Sequence, residues 1–298
     1  MTRESVEISS DDENRDDQNR RAKNTSFVYE HRFGSVELHG DSLKCLKHNA
    51  YLTDNIIQFY CAYLLSDICP EEFASRIHIF DSIFHDQLDK VFYVKEERSK
   101  ETINRHCIDS KKLKQLLNKW LNNIDIFEKH YLIFPVCMEN HWFAIVVCHP
   151  SAVPDPESSD FSVKANTGGD TSILRNGNKQ VPGIIVMDSL QRDRPLISRK
   201  VRMFLDFAWR EKLKGVKNFF YHNLNEYCPV LPRQTNAFDC GLFVLAYIRC
   251  FIEQPERFYR LVRKNNEESN EMLKTKAESC LQETQRESIR TLIHKVMK

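Results

Sequence analysis

Apolar and polar positions along the chain fall into separate runs. The first 25 residues are polar and charged (SSDDENRDDQNRRAK). Burial there cannot offset chain entropy, so 1–25 is predicted to be a disordered polar segment. Order is expected from about Ser26. Thr53 reads as a helix N-cap, because Ile56, Ile57, Phe59, Tyr60, Tyr63 and Leu64 follow at helical spacing. Residues 76–80 (RIHIF) predict a short buried element, and 111–121 (KKLKQLLNKWL) a helix. Two β-branched runs, 131–137 (YLIFPVC) and 141–148 (HWFAIVVC), are separated by Met138, Glu139 and Asn140, which predicts a hairpin or adjacent strands. A third such run is 183–188 (GIIVMD). Between the second and third lies a polar stretch, 150–182, too long for an ordinary connection, and it reads as a mobile insertion. After Ser198 an amphipathic helix carries Val201, Phe204, Leu205, Ala208 and Trp209 on one face. Residues 229–233 form a Pro-bounded loop, and 241–252 (GLFVLAYIRCFI) is apolar almost all round, the mark of a helix buried on most sides. A last helix is predicted within 282–297 from Ile289, Leu292, Ile293 and Val296.

Composition narrows the class. Lys and Arg total 43 against 42 Asp and Glu, a net charge of +1, which gives no sign of a nucleic-acid partner. No apolar run approaches the ~18 residues that span a bilayer, and the start is too polar for a secretory signal. An intracellular protein of the nucleus and/or cytoplasm is therefore expected, a monomer with no membrane partner. The basic cluster Arg20-Arg21-Ala22-Lys23 fits a nuclear-import signal or a solvated basic patch. The ten cysteines are scattered, several lie in apolar runs, and no CxxC pair occurs, which points to a reduced compartment. Eight glycines and the absence of GxGxxG or a P-loop argue against a Gly-rich phosphate-binding fold.

Candidate chemistry centres on Cys240, at the predicted start of the buried helix, between Asp239 and Gly241. Unpaired N–H groups and the partial positive charge of a helix N-terminus make a cysteine nucleophilic there. Gly241 would leave room for a substrate backbone. Buried core packing is the commoner fate of a cysteine, so the neighbours matter. Gln234, six residues upstream, has an amide able to donate toward an acyl oxyanion beside the Cys240 N–H. His141 opens an apolar strand, next to Trp142. Asp188 closes another, where a carboxylate can fix an imidazole tautomer. Cys137 with His141, or Cys148 with His149, would be metal-ligand pairs only with a matching second pair at zinc spacing, and neither has one.

Together these residues resemble the Ulp/SENP family of SUMO proteases. The signature Pro-x-Gln, five residues, Cys-Gly reads Pro232-Arg233-Gln234 through Cys240-Gly241. The family's His-Trp pair appears as His141-Trp142 and its Asp-Ser pair as Asp188-Ser189. Tyr51-Leu52-Thr53-Asp54, ahead of IIQFY, resembles the family's aromatic-Leu-Asn-Asp lead-in to its first helix, with Tyr where many members have Trp and Thr where they have Asn. Residues 76–84 (RIHIFDSIF), 125–135 (DIFEKHYLIFP) and 286–296 are most like the poly-SUMO chain-editing branch, in which insertions such as 150–182 also occur. The resemblance covers about 26–298 and implies one α+β papain-like protease domain, its central helix led by the nucleophile and packed on a mixed or antiparallel sheet. It implies a cysteine isopeptidase with His141, Asp188 and Cys240 as triad and Gln234 in the oxyanion hole. Tyr51 and Trp142 would cover the modifier's Gly-Gly tail, with Asp54 beside them in substrate binding. SUMO and SUMO-conjugated proteins are the implied partners, and neither a metal nor an organic cofactor is implied. Three alternatives stay open: a protease for another ubiquitin-like modifier, an acyltransferase of the related bacterial effector type, and a non-enzymatic modifier-binding module.

Overall fold

The computed structural model describes residues 26–95, 105–121, 124–155, 180–220 and 223–297. The predicted disordered segment 1–25 with its basic cluster, and residues 156–179 of the predicted insertion, lie outside them. A hairpin of β1 (Ser26–His31) and β2 (Gly34–His39) runs through a 3-10 segment (Gly40–Leu46) into α1 (Asp54–Tyr63). Thr53 is the extended residue ahead of α1, but its hydroxyl faces Cys45 Sγ at 3.6 Å and caps nothing. Burial of Ile56, Ile57, Phe59 and Tyr60 holds the helix instead. Short elements follow: a π-helical turn (Leu64–Ile68), α2 (Glu71–Ala74), β3 (Ile77–Ile79), α3 (Ile83–Asp89), the hairpin β4 (Phe92–Lys95) with β5 (Arg105–Ile108), and α4 (Ser110–Leu121).

The central sheet joins β3, β6 (Tyr131–Met138), β7 (His141–Cys148), β8 (Gly183–Met187) and β9 (Asn225–Tyr227) in that order. Its outer pairs are parallel and its inner pairs antiparallel. The predicted hairpin is β6–β7, with Met138 opposite His141. Glu139 and Asn140 turn it with φ of 53° and 58°, the left-handed pair that matches strand twist in a two-residue turn. Pro135 sits where β6 has run past β3, so its missing N–H breaks no ladder.

Both faces of the sheet are covered, which is why its strands read as unbroken apolar runs. Ile133, Trp142, Ala144, Val146, Ile185 and Met187 share a core with α1 and with α6 (Cys240–Glu253). Leu132, Phe134, Phe143, Ile145, Ile184 and Val186 share another with α3, α4 and α5 (Pro195–Leu213). The apolar face of α5 is as predicted, except that it also buries Arg202 completely; the guanidinium donates to the carbonyls of Phe219, at 3.2 Å, and Leu224. Helices α7 (Pro255–Lys264), α8 (Glu267–Glu283) and α9 (Arg286–Val296) pack behind α6. The predicted last helix is thus divided. Gln282 and Glu283 finish α8, and buried Thr284 donates its hydroxyl to Cys280 O before the chain restarts. The arrangement is α+β, a helix led by Cys240 packed on a mixed sheet.

Candidate active site

Cys240 is the first residue of α6 and is 1% exposed. The two peptides before it are held at both ends or by the helix. Asn236 Oδ1 accepts from Phe238 N at 3.1 Å and Asp239 N at 2.9 Å, and Asp239 O accepts from Phe243 N at 3.1 Å. A Cβ on Gly241 would lie 2.9 Å from the Leu52 Cβ. The absent side chain therefore makes way for Leu52, a core contact, where the sequence suggested room for a substrate backbone.

His141 lies at the end of β7 where the β6–β7 turn delivers it. Its Nε2 faces Asp188 Oδ1 at 2.7 Å, both residues being buried. Its remaining nitrogen is left to interact with Cys240. Burial pulls the imidazolium down, but hydrogen bonds and charge from Asp188 and Cys240 outweigh it and hold its pKa up at about 8. Asp188 follows β8 directly. Burial would raise its carboxyl, yet hydrogen bonds from His141, the Leu190 N–H and Arg194 hold it below the usual carboxylate range. An ionised Asp188 only accepts, so Nε2 carries a proton and Nδ1 is the face open to the thiol.

Arg194 completes this arrangement. Its Nε and Nη2 donate to Asp188 Oδ2 at 2.8 and 2.6 Å, and its guanidinium lies 4.3 Å over the Phe143 ring. The fork leaves Oδ1 free for His141 and the Leu190 N–H. The sequence offered no sign of it: Arg192 and Arg194 flank Asp193 in an unremarkable polar stretch.

Gln234 is tied to the same corner. Its N–H donates to Ser189 O at 3.2 Å, Ser189 Oγ donates to its Oε1 at 2.5 Å, and its Nε2 donates to Asn236 O at 2.7 Å. An amide nitrogen has two hydrogens, so one is left over. Ser189, completely buried, thus links the residue after Asp188 to the loop before Cys240.

The three remaining candidates differ. Trp142 is 2% exposed, and its Nε1 donates to Leu52 O at 3.0 Å, fixing the residue next to Tyr51. Tyr51 itself is 49% exposed. Asp54 accepts from Ser82 Oγ at 2.7 Å, an internal contact that ties the start of α1 to the segment ahead of α3. Cys137, considered in the sequence only as a metal ligand, lies within electrostatic reach of Asp54 and Cys240. Burial first, then the charges of Asp54 and Cys240, push its thiol up to about 11, so it stays protonated at neutral pH and does not compete as a nucleophile.

Residues 50–284 match the sequence model of the Ulp1 protease family, C-terminal catalytic domain. Sentrin-specific protease 7 of Homo sapiens is 25% identical over 256 residues, covering 74% of this chain. Sentrin-specific protease 6 of Mus musculus is 36% identical over 139 residues, covering 45% of this chain. The alignments span only 24% and 12% of those relatives. A solved structure described as "Crystal structure of the de-sumoylating protease" shares the fold with a TM-score of 0.63 at 18% identity, covering 92% of this chain and 91% of that one.

Proposed function

The chain belongs to the Ulp1 protease family, and on that premise we propose that it is a SUMO isopeptidase with Cys240 as nucleophile, His141 as acid and base, Asp188 as the imidazole's partner and Gln234 as an oxyanion donor. The observation that carries this reading is the His141–Asp188 contact of 2.7 Å beside a cysteine that opens a buried helix. Cys240 Sγ, its proton already held on His141 Nδ1, attacks the carbonyl after the modifier's terminal Gly-Gly. The tetrahedral oxyanion takes hydrogen bonds from the Cys240 N–H and the free hydrogen of Gln234 Nε2. The C–N bond then breaks, with His141 protonating the departing lysine amine, and water, deprotonated by His141, hydrolyses the thioester. The likeness of 76–84 and 125–135 to the chain-editing branch supports poly-SUMO chains among the substrates.

A panel of modifiers carrying C-terminal electrophilic traps tests the assignment. SUMO traps are expected to label Cys240 at least about tenfold faster than ubiquitin or the cullin modifier, a difference of about 1.4 kcal/mol. Preferential capture of another modifier would replace SUMO in the reading, and no capture by any of them would favour a binding module.

The same traps test the tail passage. Tyr51 is exposed and free to lie over a Gly-Gly backbone, while Trp142 holds the segment from inside. Tyr51→Ala is expected to keep a Tm near wild type and lose most of its kcat/KM, because an unclamped tail misplaces the scissile carbonyl. Trp142→Ala empties a core site, at about 3–5 kcal/mol of stability. Thermal melts and kinetics on both variants check this. Unchanged kcat/KM in Tyr51→Ala would remove Tyr51 from the site.

A further inference from the structure

Asp239 places a carboxylate beside the nucleophile, at the end of a helix whose partial positive charge the reaction needs. An uncompensated anion there opposes both a thiolate and an oxyanion. The structure answers that charge from the far end of the chain. Arg286, the first residue of α9, donates from Nη2 to Asp239 Oδ1 at 2.7 Å and to Phe238 O at 3.3 Å, and from Nη1 to Cys45 O at 2.7 Å. Its guanidinium is 6.0 Å from the Phe238 ring centroid, and its side chain is 12% exposed.

We infer that Arg286 is a positioning residue for Cys240, acting through Asp239 and the Phe238–Asp239 peptide. Arg286 takes the carbonyl end of that peptide and Asn236 Oδ1 its N–H end, so the plane cannot rotate. The next peptide carries the Cys240 N–H, and its own carbonyl is occupied by Phe243 N. The direction of the Cys240 N–H and Sγ thus follows from a plane that Arg286 sets. The guanidinium also neutralises Asp239, so the partial charge of the α6 N-terminus is left for the reaction. Its third contact, Cys45 O, fastens this loop to the 3-10 segment Gly40–Leu46. One planar fork meets three acceptors from two chain segments, which a lysine's single ammonium cannot do with the same geometry.

Arg290, one turn along α9, is the internal control. Its Nη2 donates to Leu46 O at 2.9 Å, so it fastens the same helix to the same segment, with no hydrogen bond or ion pair to the nucleophile loop among the described residues. The inference rests on Cys240 being the nucleophile, and Cys240→Ser tests that separately: retained turnover there would sink the parent reading, whatever Arg286 does. Arg286→Gln, Arg286→Lys, Arg290→Gln and Asp239→Asn/Arg286→Gln are compared for kcat, KM, Tm and the rate of iodoacetamide alkylation of Cys240. Arg286→Gln is expected to lose roughly 10–100-fold in kcat with KM within about twofold, as a misplacement near 1 Å does, and to alkylate more slowly. Arg286→Lys recovers part of both, Arg290→Gln keeps its kcat, and the double variant is no slower than Arg286→Gln. Should Arg286→Gln fail to fold, Arg286→Lys against Arg290→Lys takes its place, with the kcat loss expected only in the former. A folded Arg286 variant with wild-type kcat and alkylation would overturn the inference, as would an equal loss in the Arg290 variant, which would reduce Arg286 to helix docking.

Discussion

Cys240→Ser is expected to abolish practical turnover, with hydrolysis falling on the order of 10³-fold or more, while the protein stays folded. The side chain is 1% exposed at the start of α6, and serine fills nearly the same volume there. A serine hydroxyl can donate to the same face of His141, so no buried polar atom is orphaned. What is lost is ionisation: an alkoxide is far harder to form than a thiolate, and this site has one histidine to form it with. Single-turnover cleavage of a SUMO conjugate and a thermal melt on the same sample check both halves. Near-normal cleavage would remove Cys240 from the mechanism. A collapse of Tm would mean that the loss reports folding and not chemistry.

Asp188→Asn should lower kcat by roughly 10–10³-fold, and Arg194 explains why an isosteric change is so damaging. An aspartate offers two accepting oxygens; one takes the Arg194 fork and the other His141 with the Leu190 N–H. An asparagine has a single accepting oxygen. The charged fork draws that oxygen, which turns the amide NH2 toward His141 Nε2. Nε2 must then accept, the proton moves to Nδ1, and the face opposite the thiol can no longer take its proton. The pH profile separates this from a general loss of fit. In the wild type, kcat/KM is expected to fall as pH rises through about 8, because the imidazolium that protonates the leaving amine is lost there. In Asp188→Asn the hydrogen bond and negative charge that raise His141 are gone, so this alkaline limb moves to lower pH. An alkaline limb unmoved in the variant would show that Asp188 is not the imidazole's partner.

The positions of greatest consequence were legible because each carries its signal in a few adjacent residues. Met138 to Asn140 between two β-branched runs announced the turn that delivers His141, and a carboxylate closing GIIVMD announced the end of β8. Arg194 had no such signal. It is one of 43 basic residues, and nothing in DSLQRDRP separates it from Arg192. Ser189 stood in the Asp-Ser pair, but its hydroxyl contact with Gln234 crosses 45 positions. Nothing near Gly241 in sequence names its neighbour, since Leu52 is 189 residues away in the chain yet would lie 2.9 Å from a Cβ placed on the glycine.

Local sequence sets the three inner strands of the central sheet, the buried helix that follows Cys240 and the order of the candidate residues. These depend on local periodicity, on turn chemistry and on side chains whose type is tied to a role. Tertiary structure alone decided that helices cover both faces of the sheet and that Trp142 is turned inward to hold Leu52 while Tyr51 stays exposed. It also decided that the candidate site is braced by two arginines from α9 and the approach to α5. The physical reason is that a guanidinium has no preferred local partner. Its value comes from the carboxylates and carbonyls that folding brings within about 3 Å, and those partners lie anywhere in the chain.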